Sequence, residues 1–229
     1  MAEPARERTS RDGMRAVAPL AVAVLGFGAS FGVLARAAGM GTLAPIVMSA
    51  ATFAGSAQFA AASVLETGGA VASAITAAIL LNARYAPIGV SVAPYLTGGF
   101  WSRFVHAQLT VDETWAIAAE GEGRFNPRVL FGSGLTLYAA WVAGTAAGVA
   151  FGDLIGDPAS WGLDAAFPAL FLTLLVAQLK DRRDAGAALL GAAIALALTP
   201  FTPAGVPIIA AAAACFLALR APSSDEGSP

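Results

Sequence analysis

AVASAITAAILLNARYAPIGVSVA, residues 70–93, carries a single charged side chain, Arg84, in an otherwise uncharged and mostly apolar run. One helical crossing of a bilayer core takes about 20 predominantly apolar residues. The stretch is long enough for one crossing, and Arg84 is the feature of it that needs explaining. Similar runs lie on either side: Ala16–Ala35, Leu43–Leu65, Val129–Phe151, Leu163–Leu179, Ala185–Phe201 and Ala204–Leu219. The last two are short and are separated only by the Pro-rich turn Thr199–Pro203. The pattern predicts an all-α polytopic membrane protein of about six to seven transmembrane helices.

Composition agrees. The chain has 229 residues, 57% of them hydrophobic and 12% charged. Soluble domains carry about 25% charged residues, so too little polar surface is present to coat a water-soluble globule. The net charge of -2 argues against a nucleic-acid partner. Residues 1–15 form a polar tail in which four Arg alternate with Glu3, Glu7 and Asp12. Residues 16–220 form one membrane domain, and residues 221–229 a C-terminal tail. The first apolar run exceeds the roughly 7–15 residues of a signal-peptide core, so it is expected to be retained.

The longest polar interruption is 96–128. Trp101, Val105 and Leu109 share a face at helical spacing, which suits a helix lying at the membrane interface. Thr110-Val111-Asp112-Glu113 reads as a capping box, with the Thr110 hydroxyl on the Glu113 amide and Glu113 reaching back. The following helix should run to about Ala119.

Lys and Arg in short loops stay cytoplasmic. Arg103, Arg124 and Arg128 mark one such loop, and Lys180, Arg182 and Arg183 another; the loop Gly152–Gly162 has none. Seven full crossings would then put the N-terminal Arg cluster outside. It stays inside if one early segment is broken or re-entrant. The best candidate is Leu43–Leu65, with Pro45 and the Gly55-Ser56 pair. A shift of 120 residues aligns Gly28, Phe31, Gly32 and Leu34 with Gly148, Phe151, Gly152 and Leu154, and Gln58 with Gln178. Such an echo would fit a three-helix inverted repeat, with a substrate site at the junction.

Polar groups inside a membrane are costly and usually face a cavity or a partner. Arg84 costs about 2.5–3.5 kcal/mol near a helix centre. Pro87 frees the Ala83 carbonyl, so Asn82, that carbonyl and Arg84 fall within one turn. If the span ends near Leu81, Arg84 snorkels to the interface instead. A snorkelling Arg needs no carboxylate, whereas a buried one needs a substrate, a broken helix or an acid such as Glu66 or Asp112. Ser49, Thr52, Ser56 and Ser63 share one face of a continuous helix, a pattern that close helix packing also explains. Gln58, beside Gly55, is a bulky amide that wants several hydrogen bonds. Cys215 is a lone thiol in an apolar run, and His106 is the single histidine. With no HExxH, no phosphate loop and no intramembrane Asp pair, the sequence offers no catalytic residues, no metal site and no cofactor site.

Ser30-Phe31-Gly32, Ser49, Phe53-Ala54-Gly55-Ser56-Ala57-Gln58-Phe59, Asn82-Ala83-Arg84 and Thr110-Val111-Asp112-Glu113 resemble the AzlC family. These are large subunits of branched-chain amino-acid permeases. The resemblance runs over roughly 16–180. It implies a multi-pass protein of the bacterial inner membrane that moves leucine, isoleucine or valine, often outward. It also implies a small hydrophobic AzlD-type partner subunit and no cofactor. A zwitterion needs a cation for its carboxylate, polar groups for its amine and an apolar wall. Gln58, Asn82, Arg84, Ser56, Gly55 and Ser49 are the candidate substrate-binding residues. The alternatives are a carrier for another small solute and a non-transporting scaffold subunit.

The charge bias predicts the sidedness of the loops. A cysteine placed near Pro158 should react with an impermeant reagent added outside the cell, and one at Gly121 should be spared. The opposite labelling pattern would reverse the orientation.

Overall fold

The structure is a computed structural model that describes residues 8–121, 123–155, 172, 175, 176, 179, 182–202 and 206–211. Expectations placed on Cys215, Gln178, the loop around Pro158 and most of 163–179 and 204–219 lie outside these residues. Among the described residues the chain is helical: α1 (Ser10–Ala37), α2 (Leu43–Thr52), α3 (Gly55–Glu66), α4 (Val71–Asn82), α5 (Tyr85–Val92), α6 (Phe100–Gln108), α7 (Asp112–Ala118), α8 (Pro127–Ile155) and α9 (Arg182–Leu198). Two of these, α1 and α8, are long and apolar enough to cross a membrane; α4 and α5, bent by 44° at their junction, make a third span if taken together.

The bundle is built on the contact between α1 and α8, where glycines replace side chains. A Cβ on Gly28 would stand 2.6 Å from the Trp141 carbonyl oxygen. One on Gly32 would overlap the Thr145 carbonyl, one on Gly144 that of Leu25, and one on Gly148 that of Ala29. Lipid tails are as apolar as leucine, so membrane helices associate through close packing rather than through the hydrophobic effect. Residue numbers rise together along the two helices, from Gly13 against Val129 to Gly152 against Val33, so the pair is parallel. Arg8 donates to the Ile117 carbonyl at 3.1 Å, and Asn126 donates to the Arg8 carbonyl at 3.3 Å. The start of α1 therefore lies at the same end of the bundle as the polar interruption 96–128.

The middle of the chain explains this parallel arrangement. The segment Leu43–Leu65 is not one helix. It breaks at Phe53-Ala54, where Phe53 takes a left-handed φ of 41°. Ser49 on one side of the break bonds Gln58 on the other, and Met48 packs beside Ala61 and Val64. α4 then runs back along α3, with Ala74 and Ala77 against Ala61 and Val64, and brings Arg84 to Ser56 at the start of α3. Beyond it, Tyr95 reaches Phe125 and Gly123. So α2 and α3 form a hairpin whose two ends face the far end of α1, and α4–α5 returns to the near end.

Several expectations change. The face expected to carry Ser49, Thr52, Ser56 and Ser63 is split between two helices. The aligned helices of the 120-residue echo, α1 and α8, run in the same direction, which an inverted repeat would not give; the hairpin does not traverse the bundle, so one outward and one return pass separate their starts. In α6, Phe100 and Trp101 are each 73% exposed and Val105 is exposed, but Leu109 is buried against Gly134 because the helix ends at Gln108. The Thr110 hydroxyl bonds the His106 carbonyl, and Thr114 receives the Val111 amide at 2.8 Å, so the helix starts one residue later than the capping box required.

Overpacked contacts typically cost about 1–3 kcal/mol, and more where only backbone can yield. Gly148→Leu should lower the thermal unfolding midpoint of the purified protein sharply. Gly186→Ala, where nothing lies within 4 Å, should not lower it, and the better helix propensity of Ala should raise it slightly.

Candidate functional site

A helix break frees backbone groups that an apolar bundle cannot leave unpaired. At Phe53-Ala54 side chains take most of them. Tyr138 donates to the Ala50 carbonyl at 2.9 Å, and Gln108 donates to the Ala51 carbonyl at 2.8 Å. The Ala54 amide donates to Gln58 Oε1 at 3.2 Å, and the same oxygen accepts Trp141 Nε1 at 3.0 Å. Gln58 Nε2 donates to the Ser49 hydroxyl at 2.8 Å, which is 2.8 Å from the Thr145 hydroxyl. Gln58, Ser49 and Thr145 are fully buried. Among the described residues nothing accepts from the amides of Gly55, Ser56 and Ala57, the first donors of α3.

Those amides begin at a cavity of about 140 Å³. This is close to the volume, about 150 Å³, that lets an apolar cavity take a benzene ring. Leu20, Val24, Phe27, Leu137 and Trp141 form its apolar wall. Its polar side is Gly55 and Ser56 from the start of α3, Arg84 and Tyr85 from the α4–α5 bend, and Asp112 and Glu113 from α7. Behind the wall, Phe31 lies edge-on to Phe59 at 5.6 Å and stacks on Trp141 at 6.0 Å, tying α1, α3 and α8 together.

Arg84 stands at the centre of the polar side. Its Nη2 lies 3.0 Å from Asp112 Oδ2, with the two side chains 31% and 36% exposed. The same nitrogen donates to the Ser56 hydroxyl at 3.1 Å and to Tyr85 Oη at 3.3 Å. Its Nε is buried and has no acceptor, so the guanidinium keeps an unused donor. Pro87 does not leave the Ala83 carbonyl open, because the Ala86 amide turns onto it at 3.1 Å. Glu113 follows Asp112 directly. It lines the cavity and its side chain is exposed. Burial is the main influence raising its pKa; its own backbone amide lowers it, Asp112 raises it, and Arg84 lowers it.

The six candidate residues thus separate. Arg84, Ser56 and Gly55 line the cavity. Gln58 and Ser49 lie together one layer behind it, with their polar atoms committed to the break. Asn82 does not line it; its buried Oδ1 has no partner. Sequence reasoning assigned Asp112 only as one possible partner of Arg84 and Glu113 only as a cap. The available signal was an intramembrane Arg that needs a carboxylate, next to an adjacent acidic pair. Nothing in the sequence pointed to Tyr85 or Trp141.

The family model described as AzlC protein matches residues 19–155. An uncharacterized membrane protein of Archaeoglobus fulgidus is 36% identical over 200 residues, covering 86% of this chain and 87% of its own. The branched-chain amino acid transport protein AzlC of Bacillus subtilis is 27% identical over 186 residues, covering 78% of this chain and 71% of its own. An uncharacterized membrane protein of Helicobacter pylori strain J99 is 26% identical over 175 residues, covering 74% and 75%. No solved structure matches.

Gln58→Leu removes the acceptor of both the Ala54 amide and the Trp141 indole. Each buried donor left unpaired costs about 1–3 kcal/mol. The variant should unfold at a clearly lower temperature, and hydrogen exchange should quicken at Ala54. An unchanged midpoint would mean that Gln58 does not hold the break.

Proposed function

The chain belongs to the AzlC family of membrane proteins, and from that premise we propose that it is the large subunit of a two-component exporter of branched-chain amino acids. The observation that carries the reading is the Arg84–Asp112 pair set into an otherwise apolar cavity at a helix break. A half-exposed ion pair adds about 0–1 kcal/mol to stability. That return does not offset the roughly 2.5–3.5 kcal/mol of placing an Arg within an apolar span. Function is the better reason for the residue.

The chemistry fits a zwitterion with an aliphatic side chain. Arg84 offers a carboxylate two parallel hydrogen bonds, and the first amides of α3 add the positive end of a helix dipole. Asp112 and Glu113 suit an ammonium. Leu20, Val24, Phe27, Leu137 and Trp141 suit a branched hydrocarbon. Gln58 and Ser49 act from behind by fixing the break and the Trp141 wall, and Asn82 sits one turn from the site. A scaffold subunit would scatter its polar groups among helix contacts; here Ser56, Arg84, Tyr85, Asp112 and Glu113 line one cavity, which favours a carrier. A carrier for a different small solute would have to match the same cation, anion and apolar wall. The inner membrane as location, and the small hydrophobic AzlD-type subunit as partner, come from the family. Of the bilayer-facing surface, the exposed aromatic face of α6 suits the interface.

Lys supplies a point charge where Arg supplies a fork. Cells carrying this chain with its small neighbour should accumulate less labelled leucine than cells without them, and Arg84→Lys should abolish most of that difference while the protein remains inserted. Normal export by a well-expressed Arg84→Lys variant would contradict the assignment. An unaltered leucine pool with an altered pool of another solute, methionine for instance, would move the substrate class.

A further inference from the structure

The apolar wall of the cavity is not equally stiff throughout. Leu20, Val24 and Phe27 on α1 are half-buried or exposed, so their side chains can give. Trp141 on α8 is only 5% exposed and is held by several contacts at once. Its Nε1 donates to Gln58 Oε1 at 3.0 Å. The Gln58 carboxamide cannot turn away, because the same oxygen accepts the Ala54 amide and its Nε2 donates to the Ser49 hydroxyl. The indole stacks on Phe31 at 6.0 Å, and Phe59 meets it edge-on at 6.2 Å. Both phenylalanines are fully buried. One turn further along α8, the Thr145 hydroxyl donates to the Trp141 carbonyl at 2.9 Å. The benzo edge of the indole ends against Gly55, which lines the same cavity. A Cβ on Gly55 would stand 3.1 Å from Cη2 and 3.4 Å from Cζ3 of that edge.

We propose that Trp141 is the specificity-determining residue of the cavity, a fixed stop that admits compact aliphatic side chains and turns away aromatic ones. This rests on the reading of the cavity as an amino-acid site. The cavity holds about 140 Å³. An apolar cavity of about 150 Å³ is taken up by one benzene molecule. A phenylalanine would spend nearly all of the space on its ring, and its α-carbon, carboxylate and ammonium must be housed as well. A branched aliphatic side chain is smaller and leaves room for those groups beside Arg84. The softer α1 wall adjusts to where the chain branches. The indole sets how bulky the side chain can become, because displacing it breaks the bond to Gln58 and strands a buried N–H. Gln58 is thus a positioning residue for the stop. Gly55, having no side chain, lets the indole edge reach the lining.

The test compares leucine and phenylalanine binding to the purified large subunit with its small partner in lipid nanodiscs. The wild type should bind phenylalanine at least about tenfold more weakly than leucine, the scale on which an apolar pocket rejects excess bulk. Trp141→Phe keeps a ring on Phe31 but lacks the benzo edge that meets Gly55, so space opens at the cavity lining. Its phenylalanine-to-leucine affinity ratio should rise at least about tenfold. A merely structural role for Trp141 would weaken both ligands alike and leave the ratio unchanged, which would overturn the assignment. Equal wild-type affinities for the two would overturn the size limit and leave the amino-acid site standing. No leucine binding by the wild type would remove the amino-acid reading and this inference with it. A third arm needs no variant to fold: a leucine analogue with a diazirine on its side chain, photolysed in the wild-type complex, should leave an adduct on Trp141 that excess leucine prevents. Adducts on other residues with none on Trp141 would contradict the proposal.

Discussion

The turn at Phe53-Ala54 is possible only because the bundle supplies partners for the backbone groups it frees. Hydrocarbon offers no hydrogen bonds, so an unwound stretch survives only where protein or trapped water satisfies it. Tyr138 and Gln108 take two carbonyls, and the Gln58 carboxamide takes the Ala54 amide. The indole of Trp141 anchors that carboxamide to α8. Because α2 and α3 turn back here, α4–α5 is the return pass, and α1 and α8 run parallel with their glycine faces in contact. The same turn places Gly55 and Ser56, at the start of α3, in the cavity lining. Fold and site share one cause.

The cavity is then a place where costs are left unpaid by the fold. Arg84 is paired with Asp112 and supported by Ser56, yet keeps an unsatisfied Nε. The Arg84 guanidinium also lies 5.1 Å from the Tyr85 ring centroid, a weak cation–π contact that steadies its position without using a donor. The apolar wall of Leu20, Val24, Phe27, Leu137 and Trp141 lowers the local dielectric and makes each of these charges more sensitive to a new partner.

Much of this was legible in the sequence, and the limits have physical reasons. Hydropathy alone places α1, α8 and the α4–α5 run, because the bilayer length imposes one scale on all three. Arg84 is conspicuous as the single charge in its run. The break is legible as a weakness near Gly55-Ser56, but its position is not: it falls at Phe53, a non-glycine residue in a left-handed conformation that only tertiary partners such as Tyr138 make tolerable. Gln58 reads as a polar group in need of partners, which is correct, but sequence cannot separate a ligand that faces a substrate from one that holds the backbone behind it. That distinction depends on where α8 puts Trp141. Asp112 and Glu113 are 28 and 29 positions beyond Arg84, so their convergence on it is a property of the return pass rather than of any local pattern.

The claim on which the rest turns is that a substrate carboxylate replaces Asp112 on Arg84. Solid-state NMR on the bilayer-embedded complex, with leucine labelled at its carboxyl carbon and the protein labelled at arginine guanidinium nitrogens, measures this contact directly. The account predicts a carbon–nitrogen separation of about 4 Å, as a pair of parallel N–H···O bonds requires, and loss of that coupling in Arg84→Lys. Saturating leucine with no guanidinium within that range would contradict it.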